Sequence, residues 1–191
     1  LLRWPAAGRP LARVRGMYAL ALIDTLERRL TIARDPLGIK PMFWARLPSR
    51  VLFASESHAL FEHAELSPEP DPVGVSLYLS SVRTVMGSRT MFTGVQAVRP
   101  GESLTFSIDD PSAEPRRARL AIAPAQDPIS VGRVAEVVRD SVRVHLRSDV
   151  SLCSLLSGGL DSTIIAHSAL ADADELRTYC AGAEGEGGDP E

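Results

Sequence analysis

Leu155-Leu156-Ser157-Gly158-Gly159-Leu160-Asp161-Ser162 is the stretch on which the reading of this chain turns. A short apolar run, 151–156, leads into it and has strand length. The pattern then predicts a helix over 163–171 and a further strand over 176–181. Strand, turn, helix and strand make a βαβ unit, the opening of a parallel α/β sheet. Two adjacent glycines allow a tight turn and close approach of a ligand to the backbone. Amides that open a helix have no intrahelical partners and carry the positive end of its dipole, so they suit a phosphate. Ser157 and Ser162 add hydroxyls. Asp161 fits either as an N-terminal cap or as a ligand for Mg²⁺ accompanying a nucleotide. No G-x-x-x-x-G-K-[ST] is present, so this is not a Walker A loop. The alternative reading is purely structural: Ser157-Gly158-Gly159 turns a strand into a helix capped by Asp161 or Ser162.

Upstream, Val131, Val134, Val138, Val142 and Leu146 recur at helical spacing, with Ser130 placed as N-cap. Arg139, Arg143 and Arg147 share one stripe of that helix and read as a solvated face. Over 108–130, prolines recur among alanines and charges, the composition of a linker. The first 107 residues read differently. Strands are predicted at 17–23, 30–33, 42–47, 51–54, 89–92 and 102–107, with short helices at 57–63 and 73–80. The expected class is therefore α+β followed by α/β: a first domain over 1–107, a linker over 108–130 and a second domain over 131–191.

Hydrophobic residues make up 45% of the 191 residues and charged residues 24%, a globular composition. The net charge of −3 argues against a nucleic-acid binder. No apolar run approaches the roughly 18 residues of a membrane span. Cys153 and Cys180 form no disulfide framework and are expected to be buried structural thiols, and the expected setting is the cytoplasm. The four histidines (58, 63, 145 and 167) have no ligand spacing, so no metal site is expected from them. Trp4 and Trp44 are expected in the core or an interface. The chain opens at Leu1 and closes at Gly187-Gly188-Asp189-Pro190-Glu191, and is read as an internal piece of a longer protein.

The loop Ser157-Gly158-Gly159-Leu160-Asp161-Ser162 resembles the pyrophosphate loop of the ATP pyrophosphatases. Four earlier blocks narrow the resemblance. They are Gly16-Met17-Tyr18-Ala19-Leu20-Ala21-Leu22 with Ala33-Arg34-Asp35-Pro36-Leu37-Gly38-Ile39-Lys40-Pro41; Phe53-Ala54-Ser55-Glu56; Arg89-Thr90-Met91-Phe92-Thr93-Gly94-Val95; and Pro100-Gly101-Glu102. In this order they resemble the glutaminase domain of glutamine-hydrolysing asparagine synthetases. The resemblance implies the later part of an Ntn-type αββα sandwich, then the start of a doubly wound ATP-pyrophosphatase domain. It implies that glutamine supplies ammonia, that ATP adenylates an acidic amino acid such as aspartate, and that ammonia displaces AMP. ATP and Mg²⁺ are the implied cofactors, with Leu156, Ser157, Gly158, Gly159, Asp161, Ser162 and Ala181 on the ATP side and Asp161 as the Mg²⁺ ligand. The partners implied are these small molecules, with no nucleic acid, no membrane and compatibility with a homodimer when full length. The Arg34-Asp35 and Lys40-Pro41 block is read as structural. The family's N-terminal cysteine nucleophile has no counterpart, since residue 1 is Leu1, so no catalytic residue is assigned. Two alternatives stay open: an adenylating amide- or lactam-forming relative with an inert glutaminase domain, and a non-catalytic remnant.

Overall fold

Leu30 and Ile32 alternate with Thr31 along one strand, and this period-two pattern sets a sheet with one apolar face. The computed structural model describes residues 11, 14–119, 128–173 and 175–182, and it divides into two compact units, 1–122 and 123–191. In the first unit β1 (Ala19–Asp24) and β2 (Arg29–Arg34), both expected as strands, form a hairpin, with the Asp24 carboxylate accepting the Leu26 and Glu27 amides at 3.0 and 2.9 Å. A second hairpin follows, β3 (Phe43–Leu47) and β4 (Arg50–Ala54). Then come α1 (Ser57–Leu60), α2 (Pro72–Ser81), β5 (Val95–Ala97), β6 (Glu102–Ser107) and β7 (Arg116–Arg119). The strands make two antiparallel sheets, ordered β1-β2-β6-β7 and β4-β3-β5.

Leu30 and Ile32 of one sheet, with Leu104 and Phe106 beside them, pack against Trp44 of the other, and Met42 and Val98 complete the cluster. Each such side chain contributes about 1.5–3 kcal/mol when fully buried. Trp44 and Phe106 meet edge to face, with centroids 5.1 Å apart. On the far side of the second sheet, Ala45 and Val95 pack under Leu60 of α1. The layers of this unit are therefore helix, sheet, sheet.

Three elements differ from expectation. Residues 89–92 are a turn with isolated bridges, not a strand, because the buried Thr90 hydroxyl donates to the Val95 and Phe92 carbonyls and accepts the Phe92 amide. A side chain that takes these backbone groups competes with a ladder. The helix expected over 57–63 closes after one turn. Third, the stretch read as linker contains β7, an edge strand whose four residues are all exposed; its arginines hide it from a hydrophobic pattern while suiting an edge. The helix expected at 73–80 is present: Asp71 caps α2 by accepting the Gly74 amide at 2.8 Å, with Pro72 in the first turn.

The second unit has α3 (Val131–His145), β8 (Cys153–Leu155), α4 (Leu160–Leu170) and β9 (Arg177–Tyr179). Strands β8 and β9 pair in parallel, Cys153 with Arg177 through Leu155 with Tyr179, as the βαβ reading requires. Ser130 caps α3 by accepting the Arg133 amide at 3.2 Å. Val138, Val142 and Leu146 are half-buried, whereas Val131 and Val134 are exposed. Arg139, Arg143 and Arg147 lie on the solvated face, where Arg143 pairs with Asp140 at 2.8 Å. Ala166 and Ala169 are the buried apolar residues among those described in this unit. The expected burial of the thiols fails: Cys153 is exposed on an uncovered face of the two-stranded sheet, and Cys180 is exposed just past the end of β9.

Trp44 lies in the core as expected; Trp4 falls outside the described residues. No helix among the described residues is long and apolar enough to cross a membrane, and none of their His, Cys, Asp and Glu side chains cluster as a metal site.

Candidate functional site

β8 ends at Leu155, where the chain must turn into α4. The Leu156 amide donates to the Tyr179 carbonyl at 2.8 Å, extending the parallel pairing to the lip of the turn. Gly158 then takes a φ of +74°, a left-handed conformation that favours glycine. Gly159 returns to extended geometry and is the N-cap of α4, with no side chain capping the helix. Neither Asp161 nor Ser162 plays the capping role considered from the sequence. Ser162 turns backward instead. Its hydroxyl donates to the Gly159 carbonyl at 3.0 Å and accepts the Ser157 amide at 3.3 Å, and the Ser157 hydroxyl lies 3.1 Å from it. The Thr163 hydroxyl also donates to the Gly159 carbonyl, at 2.9 Å. In the sequence, the signal for Thr163 is a hydroxyl four residues beyond the cap.

The turn thus gathers Leu156, Ser157, Gly158, Gly159, Asp161 and Ser162 at one end of a parallel strand pair. The first-turn amides of α4 lie at the positive end of its dipole, and Asp161 sits exposed on that turn. Ala181 follows β9 and is exposed. Because Leu155 pairs with Tyr179 in parallel, Ala181 leaves at the same carboxyl end of the sheet as the loop. Carboxyl ends of parallel strands are where open α/β sheets bind ligands.

The Arg34-Asp35 block of the first unit behaves as a structural clamp. The Arg34 guanidinium donates to the carbonyls of Gly38, Lys40 and Val98 at 2.6–3.0 Å. The Asp35 carboxylate accepts the amides of Leu37, Ile39 and Lys40 at 3.0–3.2 Å. Burial pushes the Asp35 carboxyl up, but the amides of Ile39, Lys40, Leu37 and Gly38 outweigh it, so it is held below the usual carboxylate range. Gly38, at φ +67°, closes the turn against Pro100, where an added Cβ would lie 2.7 Å from the ring.

Comparison with known proteins matches both units. Residues 5–116 match the glutamine amidotransferase domain family, and residues 133–191 match the asparagine synthase family. Residues 5–116 are more than half of the chain, and the order of the two matches is that of a single architecture. The chain belongs to the glutamine-hydrolysing asparagine synthetase family, with glutamine amidotransferase sequence followed by asparagine synthase sequence. A putative glutamine-hydrolysing asparagine synthetase of Mycobacterium tuberculosis is 36% identical over 186 residues, which are 93% of this chain and 28% of that protein. Asparagine synthetase 1 of Bacillus subtilis is 33% identical over 178 residues, 92% of this chain and 28% of that protein. The chain therefore spans a little over a quarter of the length of these curated relatives. The solved glutamine phosphoribosylpyrophosphate amidotransferase of Bacillus subtilis overlaps 89% of this chain and 34% of its own, at 14% identity and a TM-score of 0.35.

Proposed function

We propose that this chain is part of an ATP-dependent carbon–nitrogen ligase that makes asparagine from aspartate, with glutamine as ammonia donor. The first unit belongs to the later part of an Ntn-type αββα glutaminase, and the second opens a doubly wound ATP-pyrophosphatase domain. The observation that carries this reading is the order of the two family matches, with the Ser157–Ser162 loop inside the second.

The chemistry needs activation because a carboxylate is a poor acyl donor to ammonia. ATP converts the side-chain carboxylate to an acyl-adenylate and releases pyrophosphate; ammonia then displaces AMP. The loop suits the pyrophosphate half of ATP. Gly158 in a left-handed turn and the unpaired first-turn amides supply donors without bulk, with the Ser157 and Ser162 hydroxyls beside them. Leu156 and Ala181 border it on the adenosine side. Asp161 offers a hard oxygen ligand, and Mg²⁺ is commonly held by one or two carboxylates together with phosphate oxygens; the ion would offset charge on the departing pyrophosphate. The proposed setting is the cytoplasm, and a homodimer is the proposed assembly of the full-length protein.

The test is equilibrium binding of a fluorescent ATP analogue to the chain with Mg²⁺, followed by aspartate-dependent pyrophosphate–ATP exchange in the full-length protein. Exchange that requires aspartate, and that Gly159→Val abolishes, supports the reading. Nucleotide binding without exchange on aspartate or any other acidic amino acid refutes it.

A further inference from the structure

A cleft of about 520 Å³ opens in the first unit at the turn end of the β1-β2-β6-β7 sheet. Its size falls within the roughly 300–1,000 Å³ of small-molecule sites. Its floor follows from strand register. Leu30, Ile32, Leu104 and Phe106 point to the core, so Arg29, Ser107 and Thr105 point to the opposite face, and Arg116, paired opposite Thr105, joins them. Two guanidinium groups thus flank two hydroxyl-bearing positions on three adjacent strands.

The walls are fixed. Arg28, at the end of the β1–β2 turn, has a φ of +50°, a left-handed conformation uncommon for a residue other than glycine. Its carbonyl accepts the Ile108 amide at 2.9 Å, and its Nε donates to Asp109 at 2.5 Å. On the other wall, Glu114 is bound by Arg46. Those pairings leave Asp109 and Glu114 already compensated. Among the described residues, Arg29 pairs with Glu27 alone, at 3.6 Å across solvent, and Arg116 has no ion pair. Solvent-exposed pairs of this kind contribute little, so both cations are available to a ligand.

We infer that this cleft is a binding site for a small oxyanion, the phosphate or carboxylate group of a metabolite, held by Arg29 and Arg116 with the Thr105 and Ser107 hydroxyls. Planar guanidinium groups pair with both kinds of oxyanion through paired N–H donors.

Equilibrium dialysis of the full chain against radiolabelled inorganic phosphate, and separately glutamate, at constant ionic strength tests this. A parallel measurement on the Ser157→Ala/Ser162→Ala variant counts phosphate held by the 156–162 loop. Saturable binding that is retained in that variant, and that falls about tenfold in Arg29→Gln/Arg116→Gln, is expected. Thr105→Val, which keeps the side-chain shape, is expected to weaken it as well, and Arg83→Gln, outside the cleft, to leave it unchanged. Near-unchanged circular dichroism of each variant establishes that the fold is intact. Saturation by phosphate alone identifies a phosphate site; saturation by glutamate alone identifies a carboxylate site. Absence of saturable binding of either, or binding unaltered by Arg29→Gln/Arg116→Gln, overturns the proposal.

Discussion

Gly158 and Gly159 are neighbours with different reasons to be glycine. Gly158 sits at φ +74°, so any side chain there is strained; an added Cβ at Gly159 meets only the Ser157 hydroxyl, at 3.4 Å. Gly158→Ala is therefore expected to destabilise the second unit by about 1 kcal/mol, and Gly159→Ala by much less, measured by thermal unfolding followed at its helices. ATP-analogue affinity is expected to rank differently: Gly159→Val should lose far more binding than its N-cap cost of about 1 kcal/mol accounts for, because the branched side chain fills the space proposed for the pyrophosphate. Asp35 supplies a second residue-scale expectation. Its carboxyl is held below the usual value, so its stabilisation is complete above the unfolded value near 4 and disappears as pH falls through the folded value. The chain should lose stability below about pH 4, and Asp35→Asn should flatten that dependence while costing about 1–3 kcal/mol at neutral pH through amides left unpaired. Chemical unfolding across pH measures both.

At the scale of elements, α2 is held by its ends. An added Cβ on Gly74 would lie 2.1 Å from the Thr90 carbonyl oxygen, which is backbone and cannot swing away. Gly74→Ala should therefore displace α2 from the 89–92 turn and destabilise the unit by about 1–3 kcal/mol. The other end carries Val82 at φ +57°, a branched residue where a helix C-cap prefers glycine. Val82→Gly is expected to be neutral or stabilising by up to about 1 kcal/mol, because relief of strain offsets the greater freedom of the unfolded chain. Equal losses in the two variants would contradict this account of α2. Ser130 belongs to the same scale: it caps α3 as the sequence indicates, and its replacement by alanine should cost about 1 kcal/mol.

Over the whole molecule the two units differ in what they bury. The first has a continuous cluster built on Trp44, Ile32, Leu104 and Phe106. In the second, Ala166 and Ala169 are the buried apolar residues among those described, while Leu155, Leu160 and Val131 are 77, 74 and 88% exposed. Parallel strands ordinarily have both faces covered. Hydrogen exchange should therefore show strongest protection in β2, β3 and β6, and fast exchange throughout α3, α4, β8 and β9. The same exposed apolar side chains should make the isolated chain bind hydrophobic dyes and self-associate, measured by light scattering. Protection of the second unit equal to the first would show that its core is better closed than its side chains indicate.

The hairpins, the cap at Ser130, the βαβ unit and the glycine loop were legible in the residues, because each rests on local chemistry: period-two apolarity, a capping oxygen, a strand broken by Ser157-Gly158-Gly159. Other features depend on residues distant in the chain. Thr90 gives up a strand to bond across the turn to Val95; β7, written in arginines, becomes a strand only because β6 lies beside it; and Cys153 is exposed because burial depends on what packs over a strand. The oxyanion cleft belongs to this second group, since Arg29, Thr105 and Arg116 are brought together only by the register of three strands. Local backbone preference and side-chain pattern suffice for what a few neighbouring residues decide. Burial, edge pairing and the meeting of distant charges are set by free energies that exist only once the sheets have formed.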